Sequence, residues 1–114
     1  MADLFISHRA EDELRAIWRY IAADNPDAAD RLLLRIDAKL QMLRAFPVIG
    51  PARDEVRPGC RMLVEGSYLL LYEYDASNNA IEVVAIVDGR RDLSDSFEKK
   101  GESDQRVGTG RSPL

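Results

Sequence analysis

Lysine is scarce in this chain: Lys39, Lys99 and Lys100 are all it has. Phosphate-rich ligands are gripped by clustered lysine and arginine. Positive charge within residues 1–98 is therefore almost wholly arginine, which pairs bidentately with carboxylates as well as phosphates. With a formal charge of −4, the composition favours protein partners, and no direct sequence-specific nucleic-acid binding is expected. Cysteine and histidine occur once each, as Cys60 and His8. That excludes an internal disulfide and leaves little for a zinc site, so no metal and no cofactor is expected. No stretch approaches the roughly 18 unbroken apolar residues of a membrane span. The opening Met1-Ala2-Asp3-Leu4 lacks the basic and long apolar regions of a secretory signal. A reducing cytoplasm is the expected location, with no membrane partner.

What is present suits one globular domain, since 114 residues with 46% hydrophobic content can build a core unaided. Asp3 to Ser7 reads as a short strand. Ser7 can cap a helix over about 8–23, where Ala10, Leu14, Ile17, Trp18, Ile21 and Ala22 form one apolar stripe. Asn25 can cap a second helix with Pro26 in its first turn, and Ala29, Leu32, Leu33, Ile36, Leu40 and Leu43 continue a stripe to about Ala45. So short a connection makes the helices an antiparallel hairpin. Phe46-Pro47-Val48-Ile49-Gly50-Pro51 cannot continue a helix and marks an ordered loop. Strands follow over about 60–65, 67–74 and 80–87, joined tightly enough for an antiparallel meander.

The fold class is thus α+β: an N-terminal strand and helical hairpin packed on an antiparallel β-meander, with a short C-terminal helix capped by Ser94. The domain is expected to span 1–98, with 99–114 a disordered tail, polar and without periodicity. Ile81-Glu82-Val83-Val84-Ala85-Ile86-Val87 is apolar on both strand faces, as is 68–72, while one hairpin covers about one face. A large apolar surface awaiting another chain is the expectation. The competing reading is a second face half covered by the loop over 46–58.

Several segments, in order, carry a resemblance: 10–14 with 17–21, Asn25-Pro26-Asp27-Ala28-Ala29, Phe46-Pro47-Val48-Ile49-Gly50, Pro58-Gly59-Cys60-Arg61, Tyr68-Leu69-Leu70-Leu71-Tyr72 and Val87-Asp88-Gly89-Arg90-Arg91-Asp92-Leu93. Over about Leu4 to Leu93 the chain resembles the RelE/ParE toxin superfamily, and within it the ParE branch. The resemblance implies a growth-inhibiting toxin of a type II toxin–antitoxin system of the kind linked to plasmid stabilisation. It would be held as a hetero-oligomer by a ParD-like antitoxin, with DNA gyrase as its target. RelE-type relatives instead cut messenger RNA on the ribosome, using lysines and arginines on the meander and a tyrosine after the last strand. Here the meander has no lysine, Leu69 stands where such nucleases carry arginine, and Phe97 stands in the tyrosine's place without a hydroxyl. Asp88 replaces a histidine that many ParE-type chains carry. A non-enzymatic, protein-binding toxin is the expectation. The alternatives are a ribosome-dependent endonuclease and a degenerate toxin that only binds antitoxin.

No catalytic residue is assigned. Candidates for contact with antitoxin or target are Arg53, Arg57, Arg61, Tyr68, Tyr72, Arg90, Arg91 and Phe97. Against them stand internal ion pairs, such as Arg61 with Glu65 or Arg91 with Asp92, and tyrosines that merely cover the hairpin. Trp18 is expected in the core, and His8 solvated at the helix start.

Overall fold

A computed structural model of the chain describes residues 1–90. The elements are β1 (Asp3–Ile6), α1 (His8–Ala22), α2 (Pro26–Ala45), β2 (Arg61–Glu65), β3 (Tyr68–Asp75) and β4 (Ala80–Asp88). Both helices start where the sequence puts their caps: Ser7 accepts from the Ala10 amide and Asn25 from the Ala28 amide, with Pro26 opening α2. The three later strands form the expected meander, but the whole sheet is mixed. Its order is β1-β4-β3-β2, with β1 lying parallel beside β4. The expected C-terminal helix, the 99–114 tail, Arg91 and Phe97 lie outside the described residues.

The hairpin packs on one sheet face. Ala10, Leu32, Ile36, Leu40 and Leu43 meet Leu70, Tyr72, Ile81, Val83 and Ile86 there, all buried. Each aliphatic side chain so buried contributes about 1.5–3 kcal/mol, which fixes the two helices to the strands. Trp18 departs from expectation. It is half-buried outside this core, and its indole N–H donates to Asp30 at 3.0 Å, tying α1 to α2 near the surface. An amphipathic ring with a donor settles where that donor finds a partner.

The second face corrects a larger expectation. Leu71 and Ala85 are fully buried and Val84 is 6% exposed, forming a cluster with Cys60 and Met62. Among the described residues no broad bare apolar sheet is left. Two local features explain this. The register slips between Leu71 and Tyr72, so that Tyr72 pairs with Val83 and Leu71 with Ala85, leaving Val84 as the extra residue of a bulge beside Ala85. Further along, Glu73 and Glu82 face each other across β3 and β4, so this end of the face is acidic, beside the exposed Phe5. The chain after α2 also comes round the β2 edge onto this side, where Arg57 reaches Glu73 at 3.1 Å. Among the described apolar residues of this face, only Val64 and Phe5 remain strongly exposed, with Leu69 and Val87 half-buried.

β1 stops at Ile6, opposite Val83, whereas β4 runs on to Asp88. Beyond that point α1 supplies the missing partners. The Ser7 amide donates to Val83 O at 3.0 Å and the Ser7 hydroxyl to Val84 O at 3.1 Å. The Glu13 carboxylate accepts the Ile86 amide at 2.9 Å and is itself held by Arg9 at 3.1 Å. Buried backbone donors left unpaired are costly. Glu13→Ala should therefore lower the unfolding free energy by about 1–3 kcal/mol, measured by urea denaturation. Glu13→Gln, which keeps an acceptor for Ile86, should recover most of that loss. Equal losses in the two variants would show that the amide contact contributes little.

Candidate protein-binding surface

α2 ends at Ala45 because Pro47 cannot extend it, and the following turn is fastened by strand side chains. The buried Tyr72 hydroxyl donates to Pro47 O at 2.9 Å and accepts the Gly50 amide at 3.0 Å. Gly50 is needed for this approach: a Cβ there would lie 2.7 Å from Met62 O and 2.8 Å from the Tyr72 hydroxyl. Arg61 Nη1 donates to Gly50 O at 2.7 Å and to Val48 O at 3.2 Å. The chain then runs along the outer edge of β2, where the Met62 amide donates to Pro51 O and Ala52 bridges Arg61.

Several candidate residues thus have assigned positions. Tyr72 is wholly buried and braces the turn, so it presents no contact surface in this fold. Arg61 is half-buried and pinned to carbonyls, while Glu65, its suspected partner, pairs with Arg35 at 3.0 Å. Arg53 pairs with Glu55 at 2.5 Å and Arg57 with Glu73. The Arg53 guanidinium helps hold the Glu55 carboxyl below its usual range, after the dominant hydrogen bond to backbone.

The other candidates gather at the opposite end of β3. Tyr68 is half-buried against the hairpin-side core. Arg90 forks onto Asp88, with Nε to Oδ1 at 2.9 Å and Nη2 to Oδ2 at 2.6 Å. That fork holds the guanidinium still more firmly protonated, with smaller help from Tyr68 and Tyr20. Tyr20 is 79% exposed on α1. Arg61 pairs with Tyr72, four residues along β3 from Tyr68, so the two ends lie about 13 Å apart. The candidates form two patches rather than one site. Among the described residues no group of His, Cys, Asp and Glu is placed to hold a metal. No helix among them is long and apolar enough to cross a membrane.

Sequence reasoning also missed Arg44. Its Nε donates to Ala2 O at 3.0 Å and its Nη1 to Gln41 at 3.3 Å, locking α2's end to the chain start. Beside it Phe46, Val48 and Ile49 are 61%, 56% and 47% exposed. The non-periodic apolar run of 46–49 was the available signal.

This architecture has counterparts. A family model described as the ParE toxin of the type II toxin–antitoxin system parDE matches residues 4–93. The chain belongs to the ParE toxin family. "Toxin ParE1" of Mycobacterium tuberculosis is 36% identical over 89 residues, covering 77% of this chain and 90% of that protein. "Toxin ParE3" of Caulobacter vibrioides is 29% identical over 89 residues, covering 77% and 87%. A solved structure titled "Chromosomal ParDE TA system from P. aeruginosa" shares the fold, with a TM-score of 0.64 at 21% identity over 77% of this chain and 96% of that one. In this ParE-family chain the candidate residues thus stand as two patches on a braced frame.

The brace is open to test through Tyr72 and Cys60. Burial pushes the Tyr72 phenol above its ordinary 10.0, against the opposing pull of the Gly50 amide. Burial likewise raises the Cys60 thiol above 9.0, with the Glu73 charge adding to it. Both groups favour folding while protonated, and that contribution is lost as pH rises through the folded-state values. Unfolding free energy should therefore fall from about pH 9 upward, and less steeply in Tyr72→Phe. At neutral pH the same variant should lose about 1–3 kcal/mol and become cleavable within 46–50 under limited proteolysis. An intact loop at unchanged stability would contradict the brace.

Proposed function

We propose that this ParE-family toxin is neutralised by a ParD-like antitoxin and, once freed, inhibits DNA gyrase by binding it. What carries the non-enzymatic part of the reading is the state of the arginines. Cutting RNA by attack of a 2′-hydroxyl requires a base, an acid and free cations around a crowded phosphate. In this chain Arg53, Arg57 and Arg90 are each tied to a carboxylate. Arg61 is the one arginine within β2, β3 and β4, and it is engaged by two loop carbonyls. Leu69, at the position where RelE-type nucleases carry arginine, is half-buried beside Val87. Such a surface suits gripping a protein better than cleaving a phosphodiester.

We assign the antitoxin contact to the end of the sheet that carries Tyr68 and Arg90, together with Arg53 and Arg57 at the loop rim, these arginines exchanging their internal carboxylate partners for those of an extended segment. Arg91 and Phe97 continue the first patch along the sequence and belong to the same proposal. A segment that is disordered when free can wrap patches this far apart, giving up ordering free energy as it binds.

Purified toxin should inhibit gyrase supercoiling, leave ribosome-bound messenger RNA intact, and lose that inhibition when the antitoxin is added. Messenger RNA severed in the ribosomal A site would overturn the reading. Antitoxin binding without either activity would identify a degenerate toxin instead.

A further inference from the structure

The turn after α2 combines three properties that its structural role does not require. Phe46, Val48 and Ile49 all project to solvent, 61%, 56% and 47% exposed. Apolar side chains this exposed and this close in sequence mark interaction surfaces more often than chance scatter does. The turn that carries them is rigid, since Tyr72 and Arg61 together hold the Pro47 carbonyl, the Val48 carbonyl and both polar backbone groups of Gly50. Rigid presentation lowers the ordering cost of binding.

The third property is charge. Arg44 and Arg61 flank this turn, and both donate to neutral oxygens: Ala2 O and Gln41 Oε1 for Arg44, Val48 O and Gly50 O for Arg61. No carboxylate of the described residues forms an ion pair with either. Their guanidinium groups are positioned yet uncompensated, unlike Arg53, Arg57 and Arg90. An apolar prong between two fixed, unpaired cations is complementary to apolar side chains bordered by carboxylates.

We infer that the turn at 46–49, framed by Arg44 and Arg61, is the surface through which this chain contacts its target protein, and that it takes an acidic, amphipathic segment of that target. The inference rests on the toxin reading above and separates target from antitoxin, whose assigned patches lie at the Tyr68–Arg90 end and around Arg53 and Arg57. It does not depend on the target being gyrase.

The test uses the full chain under inducible expression with Val48→Asp/Ile49→Asp, Val48→Lys, and Leu34→Asp as a control. Leu34 is 71% exposed on α2, away from the turn. The double variant should need at least about tenfold more protein to arrest growth while binding antitoxin with unchanged affinity. Val48→Lys, which keeps the local sign of charge, should lose less, and Leu34→Asp nothing. Growth arrest without gyrase inhibition in the wild type would remove gyrase as the target and leave this surface judged by the growth readout. Full toxicity in the double variant, antitoxin affinity lost with toxicity, equal loss in Leu34→Asp, or a wild-type chain that does not arrest growth would each overturn the inference.

Discussion

Where β1 ends, β4 loses its neighbour on that side while β3 stays paired on the other, and much of this fold depends on how the open side is closed. A β-strand cannot leave its amides and carbonyls unpaired against a packed helix. Ser7 and Glu13 supply the partners at Val84 O and the Ile86 amide, so α1 is fixed to the sheet by polar contacts as well as by its apolar stripe. α1 in turn places α2 through the hairpin, and α2 delivers the chain to the β2 edge. There Tyr72 and Arg61 catch it by its backbone. The exposed turn at 46–49 is therefore carried on a frame fixed at both ends.

That frame changes the meaning of the second sheet face. Alternation along the strands gave it as a wide apolar surface. The bulge at Val84, the opposed Glu73 and Glu82, and the chain at 52–60 reduce it to a small buried cluster around Leu71 and Ala85. The proposed contacts accordingly lie at the periphery, at the braced turn and at the Tyr68–Arg90 end.

The helices and their starts were legible because caps and apolar spacing are local: Ser7, Asn25 and Pro26 act where they stand. The meander was legible for the same reason, with its first turn at Gly66, whose φ of 61° suits glycine. The place of β1 beside β4 was not, since it depends on residues more than seventy positions apart meeting in register. The bulge was equally hidden, because strict alternation is what a sequence reading assumes. Among site residues, Tyr72 looked like an interface tyrosine because burial of its hydroxyl depends on a loop twenty-five residues away. The arginines could be named, but whether each finds a carboxylate is a matter of tertiary packing alone. Trp18 was misplaced by its apolar stripe because its indole N–H also needs an acceptor, which Asp30 provides.

The central claim is that side chains, not further strands, hold the backbone at two points and so present a rigid binding turn. Amide hydrogen exchange on the isolated chain tests it most directly. Ile86 and Gly50 should exchange only with the slow global opening of the core strands, alongside Leu70 and Val83. Fast exchange at both, while the strands stay protected, would mean that neither anchor holds and that the turn has no fixed form to offer a partner.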